Sequence, residues 1–237
     1  MAKQAFHLQD AAPEQDTRAN LMHRRKFLAG IGLGVTATAV IAACKKDKDN
    51  GNMQPPGSID LGTGDIGILN YAYALEQLEA AFYTQVALTP YSGATAAEIS
   101  LLTDIRDHEV AHREFFKTAL GAKAIQKLEV NFAAIDFSKR DSVLATAKAF
   151  EDLGVSAYNG AGKLLVDANY LLLAGKIVSV EARHAALIRD LISNGTFADN
   201  TVIDANGLDL AYEPSKVLDT AKGFLKSQLW GGNLPTS

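Results

Sequence analysis

Two short stretches of the chain combine an acid with an imidazole inside segments that are otherwise rich in alanine and leucine. In DHEVAH, Glu109 stands three residues before His112, and in VEARHA, Glu181 stands three residues before His184. Residues three apart share one face of an α-helix, so each pair would present a carboxylate and an imidazole together. Both groups are ligands of iron, manganese and zinc. The spacing indicates a metal site, with a buried polar network as the alternative.

Each of these glutamates lies on a helical stripe that otherwise indicates a core. Glu109 lies between Ile105 and Phe116 on its stripe, and Glu181 follows Ile177 on its own. A lone buried carboxylate would cost several kcal/mol or would have to take up a proton. A divalent metal removes this cost, because it neutralises the carboxylate and accepts the lone pair of the imidazole.

A second pair of segments carries a glutamate with a tyrosine seven residues later, namely Glu76 with Tyr83 and Glu151 with Tyr158. The chain therefore contains an internal pseudo-repeat, whose halves are Glu76, Tyr83, Glu109, His112 and Glu151, Tyr158, Glu181, His184. All four glutamates fall near the middle of their helices, so they can meet at one level. The two tyrosines either donate hydrogen bonds to these carboxylates across the bundle or are ordinary core residues.

Two neighbouring residues are open to more than one interpretation. Glu79 lies one turn after Glu76 and could replace it as a ligand, support the ligands from beside them as the two tyrosines could, or be a surface acid, and we favour Glu76 as the ligand. His108 is adjacent to Glu109 and so points in another direction, either to the surface or towards a supporting contact.

The elements that must position these residues are four long helices. Hydrophobic periodicity predicts them at about 66–88, 96–120, 142–167 and 170–193, with a short amphipathic helix at 214–226. Thr95 and Glu98 form a capping-box pattern, Gly121 stands where a C-terminal cap belongs, and Asp141 is the expected N-cap of the third helix.

The connections between these helices predict the topology. The first and last connections are short and make antiparallel pairs, whereas residues 121–140 are long enough to return along a helix of about 37 Å. The fold class is therefore all-α, a four-helix bundle with one long crossover between the second and third helices.

This arrangement resembles the ferritin-like superfamily over about residues 66–195. Within it, ALEQLEAAFY and AFEDLGVSAYNGAG resemble the bacterial ferritin-like domain group that includes desiccation-related proteins. The resemblance implies two metal ions that are bridged by carboxylates and react with dioxygen or peroxide. We expect divalent iron or manganese, with zinc as an alternative, because nitrogen and oxygen ligands accept all three. The ligands that it implies are Glu76, Glu109, His112, Glu151, Glu181 and His184.

Composition excludes several relatives and partners. The single cysteine rules out an iron–sulfur site with paired cysteines and a disulfide within one molecule. The methionines Met1, Met22 and Met53 all precede the bundle, so none can ligate a haem inside it. The net charge is −4 and no basic patch occurs, which argues against nucleic acid as a partner.

The N-terminal part of the chain is typical of an export signal followed by a linker. Arg24 and Arg25 precede an uncharged run at 27–43, which resembles a twin-arginine signal, and IAAC ending at Cys44 resembles a lipid-attachment site. We expect residues 1–43 to be the signal, 44–64 a lipidated cysteine with a flexible tether, and 65–237 the bundle with its C-terminal extension. An uncleaved membrane anchor is the alternative.

Two functions fit these features. The first is an oxidoreductase of the periplasm or cell envelope that oxidises ferrous iron or removes peroxide at a di-iron or di-manganese centre. The second is a non-catalytic stress or desiccation protein in which the metal only stabilises the bundle. The sequence leaves the enzyme question, the oligomeric state and the choice among inner membrane, outer membrane and cell surface open.

Overall fold

The computed structural model describes residues 53–236. It contains the four predicted long helices, a short fifth helix and one pair of two-residue strands. In chain order these elements are β1 (Ile59–Asp60), α1 (Gly64–Leu88), α2 (Ala96–Leu120), α3 (Arg140–Gly162), α4 (Ala168–Ile192), α5 (Pro214–Ala221) and β2 (Leu229–Trp230). The predicted fold class, an all-α four-helix bundle with a short C-terminal helix, is confirmed.

The long crossover leaves α2 and α3 parallel. Arg140, at the start of α3, donates from Nε to Glu98 Oε1 at 2.7 Å, and Glu98 belongs to the first turn of α2. The same guanidinium donates to the backbone carbonyl of Leu191 at the end of α4, at 2.8 Å. One side chain therefore joins the starts of two helices to the end of a third, as expected when α1–α2 and α3–α4 are antiparallel hairpins.

Most helix ends follow the sequence signals, but those of α3 do not. Thr95 and Glu98 form the predicted capping box, and Gly121 caps α2 with a φ of 55°. The residue before α3 is Lys139, so the prediction of Asp141 as its N-cap is wrong, and Asp141 lies in the first turn instead. The short helix predicted at 214–226 ends at Ala221 and continues as a 3-10 turn over Lys222–Phe224.

The predicted end of α3 at residue 167 is also wrong, because a contact from the other hairpin shapes the connection. The Asp65 carboxylate at the start of α1 accepts hydrogen bonds from the backbone N–H groups of Val166 and Asp167, at 2.8 and 2.9 Å. Asp167 in turn caps α4 by accepting from the backbone N–H of Asn169. Residues 163–167 therefore form a connection and not a last turn of helix.

The last part of the predicted tether belongs to the folded domain. Ile59 and Asp60 pair in parallel with Leu229 and Trp230, and Leu61 is completely buried. The prediction of a solvated segment as far as residue 64 is therefore wrong for its final residues. The predicted signal at 1–43 and the lipidation site at Cys44 lie outside the described residues.

Helix α1 is the central element, since it is buried on almost every side. After Asp65 its only charged residues are Glu76 and Glu79, and both are buried. Phe82 packs edge-to-face against Phe150 of α3 and forms part of the main core. A helix that is apolar all round requires neighbours on every face, which the other three long helices and the crossover provide. Within residues 53–236 no helix is both long and apolar enough to cross a bilayer.

Candidate metal centre

The structure brings together all six side chains that the sequence singled out as metal ligands. They form two groups in which one ligand atom from each residue lies within 4.8 Å of the others. The groups are Glu76, Glu109, His112, Glu181 and Glu109, Glu151, Glu181, His184. Glu109 and Glu181 belong to both groups, which is the position that bridging carboxylates would occupy between two ions.

The two halves of the cluster contact each other in a nearly symmetric way. His112 Nδ1 lies 2.8 Å from Glu181 Oε1, and His184 Nδ1 lies 2.9 Å from Glu109 Oε1. Each imidazole is 3.8 Å from the glutamate three residues before it on its own helix. Each histidine is therefore closer to the other hairpin's glutamate, and the cluster closes only when the two hairpins dock.

The remaining two glutamates are held from across the bundle by the tyrosines of the pseudo-repeat. Tyr83 donates to Glu151 Oε1 at 2.5 Å, and Tyr158 donates to Glu76 Oε1. The structure thus favours the first of the two interpretations of these tyrosines. Each hydrogen bond occupies one carboxylate oxygen and leaves the other, Oε2, directed towards the histidines.

Eight buried polar atoms of the cluster make no hydrogen bond within the described residues 53–236, although several lie within 3 Å of each other. They are Glu76 Oε2, both carboxylate oxygens of Glu109, His112 Nδ1, Glu151 Oε2, both carboxylate oxygens of Glu181, and His184 Nδ1. The short nitrogen–oxygen contacts lack the angle that a hydrogen bond requires. An unsatisfied buried polar atom costs about 1–3 kcal/mol, and more when it is charged. Six oxygens and two imidazole nitrogens directed at a common space fit a pair of divalent iron, manganese or zinc ions.

The electrostatics of the cluster depend on burial and on the two imidazoles. Burial raises the pKa of Glu76 to about 7, although contact with His112 opposes the rise. Burial alone would also raise the pKa of Glu109, but contacts with both imidazoles outweigh it and lower that pKa to about 2. Burial would lower the pKa of both histidines, yet the surrounding carboxylates raise it to about 12 for His112 and about 10 for His184. Without a metal, the imidazoles would act as the cations of the cluster.

A sequence profile of the ferritin-like domain matches residues 64–194, which is more than half of the chain and includes all four long helices. The chain belongs to the ferritin-like domain family. A search of curated protein sequences finds no matching relative. Membership of the ferritin-like superfamily is therefore confirmed, and the narrower resemblance to the group of desiccation-related proteins stays a prediction.

In this ferritin-like bundle Glu79 is neither a replacement for Glu76 nor a surface acid. It is only 3% exposed, so the surface interpretation is wrong. It also belongs to neither group of candidate ligands, whereas Glu76 belongs to the first group. Glu79 is therefore an additional buried carboxylate near the cluster.

His108 supports the cluster from the solvent side. Its Nδ1 lies 2.9 Å from His184 Nε2, and the two rings stack with centroids 5.2 Å apart. If Nδ1 of His184 binds a metal, its Nε2 carries the proton and donates to His108, which fixes the tautomer and the ring orientation. The sequence could not place this contact, because the partner of His108 lies on a different helix, 76 residues away.

Proposed function

We propose that this chain is an exported ferritin-like protein that holds two iron or manganese ions and uses them to oxidise ferrous iron or to remove peroxide. The observation that carries the proposal is the set of eight buried oxygen and nitrogen atoms without hydrogen bonds, contributed by six residues on four helices. So many unsatisfied buried atoms in one place would be strongly destabilising unless positive ions bind there.

Each of the six residues has a distinct role in this proposal. Glu109 and Glu181, which belong to both groups, would be shared between the two ions, while Glu76 and Glu151 would each hold one ion through the oxygen that the tyrosine does not occupy. His112 and His184 would each contribute Nδ1. The four carboxylates carry four negative charges, which balance two divalent ions, and this balance makes four completely buried carboxylates acceptable.

The chain's own groups orient and shield the centre. The bound ions would supply the electrons or the redox couple for dioxygen or peroxide. The hydroxyls of Tyr83 and Tyr158 fix the orientation of the terminal carboxylates. The four glutamates are fully buried, whereas the His112 side chain is 13% exposed and is the candidate ligand nearest to solvent. A small substrate therefore approaches on the histidine side in this proposal.

Metal analysis tests the centre directly. Purified protein should contain two ions per chain, and Glu109→Ala combined with His112→Ala should abolish binding, since Glu109 belongs to both groups and His112 to the first. Glu114→Ala is a matched control, because it removes an exposed acid from the same helix. Unchanged metal content in the double variant would refute the ligand assignment.

Activity assays then separate the two candidate functions. Loaded protein should consume peroxide, or oxygen in the presence of ferrous iron, and the double variant should not. Two tightly bound ions without any turnover would instead favour the non-catalytic function, in which the metal only stabilises the bundle.

The proposed location depends on the sequence of the N-terminal segment. Adjacent arginines at 24 and 25, an uncharged run at 27–43 and Cys44 after IAA support twin-arginine export followed by lipidation. The protein would then be tethered to a membrane of the cell envelope through Cys44.

A further inference from the structure

Residues 193–213, which connect α4 to α5, cross the outer face of α3 and α4, and we call this segment the strap. The buried guanidinium of Arg189 on α4 fixes its first half. It donates to both carboxylate oxygens of Asp152 on α3, at 2.7 and 2.8 Å, and to Asp199 Oδ1 and Thr201 Oγ1 of the strap, at 3.2 and 2.9 Å. One cation, only 3% exposed, therefore ties two helices and the strap together.

The second half of the strap is fixed against α3 through its backbone. The N–H group of Tyr212 donates to the carbonyl of Ser156 at 2.9 Å. The side-chain amide of Asn159 donates to the carbonyl of Leu210 at 3.3 Å. Gly160 permits this close approach, because a Cβ there would lie 1.8 Å from the carbonyl oxygen of Tyr212. The strap is therefore attached to α3 in both halves, and the space under its middle belongs to the fold.

A cavity of about 550 Å³ lies between the strap and the two helices. Its floor is made of alanines and its cover of branched apolar side chains. These are Ala149, Ala182, Ala185 and Ala186 in the floor, and Val202, Ile203 and Leu210 in the cover. Cavities that bind small molecules have similar volumes, about 300–1,000 Å³, and are mostly apolar. None of the six candidate metal ligands lines this cavity, so it is separate from the metal centre.

The charged side chains that line the cavity comprise one bonded pair and two unpaired groups. Arg189 and Asp152 bind each other through two hydrogen bonds. By contrast, the side chains of Lys148 and Asp209 make no hydrogen bond or ion pair with any of the described residues 53–236. Lys148 is half-buried, whereas Asp209 is exposed. An ammonium that has lost part of its water and has no carboxylate bonded to it favours an anionic partner.

The two unpaired charges lie at opposite ends of the cavity. Lys148 is one helical turn before Asp152 and so lies at the end where the first half of the strap is fixed. Asp209 lies beside Leu210, at the end where the second half is fixed. From Lys148 to Ser156, α3 rises by about 12 Å. An elongated anion is therefore attracted at the Lys148 end and repelled at the Asp209 end, which fixes its orientation.

We propose that the cavity beneath the strap binds a medium-chain aliphatic carboxylate, with its carboxylate at the Lys148 ammonium and its chain along the alanine floor. The unpaired ammonium accounts for the head group, and the apolar floor and cover account for the chain. An extended chain of about 12 Å matches the length of α3 that borders the cavity. This site goes beyond the proposed function and does not depend on bound metal.

Isothermal titration calorimetry of the purified protein with decanoate, decanol and decylamine tests the site. The three probes share one chain and differ in the charge of the head group. We expect one decanoate to bind per chain, about tenfold more tightly than decanol, because only decanoate forms a charged hydrogen bond with Lys148. Decylamine should bind no more tightly than decanol. Decanoate that binds no more tightly than the other two probes, or not at all, would overturn the inference.

Lys148→Gln tests the head-group contact. It should lower the affinity for decanoate to that for decanol and leave the affinity for decanol unchanged. Lys176→Gln, which neutralises an exposed lysine of α4 outside the cavity, is the matched control and should bind decanoate as the wild type does. Equal decanoate affinities of the two variants would contradict the proposed site.

Ala149→Leu combined with Ala186→Leu tests the floor, because the larger side chains would occupy the space of the aliphatic chain. Decanoate and decanol should both bind this variant more weakly. Ala145→Leu, at an exposed alanine one turn earlier on α3 and outside the cavity, should change neither affinity. Melting temperature and metal content should match the wild type in each variant, which separates loss of this site from unfolding and from loss of the metal centre. Unchanged decanoate binding in the double leucine variant would overturn the inference and leave the proposed metal centre intact.

Discussion

At the scale of single residues, the candidate centre combines groups that the sequence identifies with groups that it does not. The two Glu-x-x-His pairs and the two glutamate–tyrosine pairs were predictable, because helical spacing and the pseudo-repeat place them on inward faces. The contact between His108 and His184 was not, since it depends on how α2 faces α4.

Removing a tyrosine hydroxyl should weaken metal binding. Tyr83→Phe deprives Glu151 Oε1 of its donor and lets the carboxylate rotate. We expect the metal affinity to fall by about 10- to 100-fold, which is the usual effect of losing a group that orients a ligand. Competition with a chelator measures this change. Tyr71→Phe is the matched control, because the buried Tyr71 hydroxyl has no hydrogen-bond partner in the part of the chain that the structure describes, and its loss should leave metal affinity unchanged.

The metal-free protein should become more stable on mild acidification. The folded-state pKa of Glu76 is raised from 4.5 to about 7, so its stabilising contribution is complete below pH 4.5 and is lost as the pH rises through 7. The pKa of His184 is raised from 6.5 to about 10, so the stabilisation from its charged form also decreases as the pH rises above 6.5. Protonation of Glu109 destabilises the folded protein, but only in stronger acid, between pH 4.5 and 2, because its folded-state pKa is lowered to about 2.

With a chelator present, the melting temperature should therefore be higher at pH 5 than at pH 7.5, by roughly 5 °C for a domain of this size. In the metal-loaded protein, the melting temperature at pH 5 should exceed that at pH 7.5 by less, or should be lower, because protons compete with the ions for the carboxylates. A metal-free melting temperature that rises from pH 5 to pH 7.5 would contradict this account of the cluster.

At the scale of elements, the sequence predicted the four helices and the long crossover but not every boundary. Capping signals that act within one segment, such as Thr95 with Glu98, were reliable because both partners are local. The end of α3 was mispredicted because Asp65, about a hundred residues earlier, binds the connection that follows it. Long-range contacts of this kind leave no local pattern in the sequence.

The helix glycines should respond to alanine in opposite ways. Gly160→Ala should be strongly destabilising, by several kcal/mol, because its Cβ would lie 1.8 Å from the backbone oxygen of Tyr212. Gly175→Ala should stabilise the protein by about 0.5–1 kcal/mol, since no atom of the described residues lies within 4 Å of the new methyl group. Chemical denaturation of the two variants measures both effects, and similar free energies of unfolding would contradict the close packing of α3 against residue 212.

At the scale of the whole molecule, the proposed export route bears on which metal is bound. A domain that folds before export can take up iron or manganese inside the cell, away from zinc and copper, which bind such ligands more tightly wherever they are available.

Replacing Arg24 and Arg25 by lysine should leave the full-length precursor in the cytoplasm, and fractionation would detect it there. Cys44→Ala should be exported but remain unprocessed at the lipidation site. Normal export of the double-lysine variant would rule out this explanation of metal choice and leave the site itself unaffected.

The division of the bundle into two hairpins gives each half of the chain three of the six candidate ligands. The α1–α2 hairpin contributes Glu76, Glu109 and His112, and the α3–α4 hairpin contributes Glu151, Glu181 and His184. Neither half can enclose an ion alone, because Glu109 and Glu181 face each other across the seam. The centre is in this sense an interface between two equivalent fragments that happen to share one polypeptide. A chain cut within the crossover at 124–139 should therefore reassemble more tightly with metal than without it.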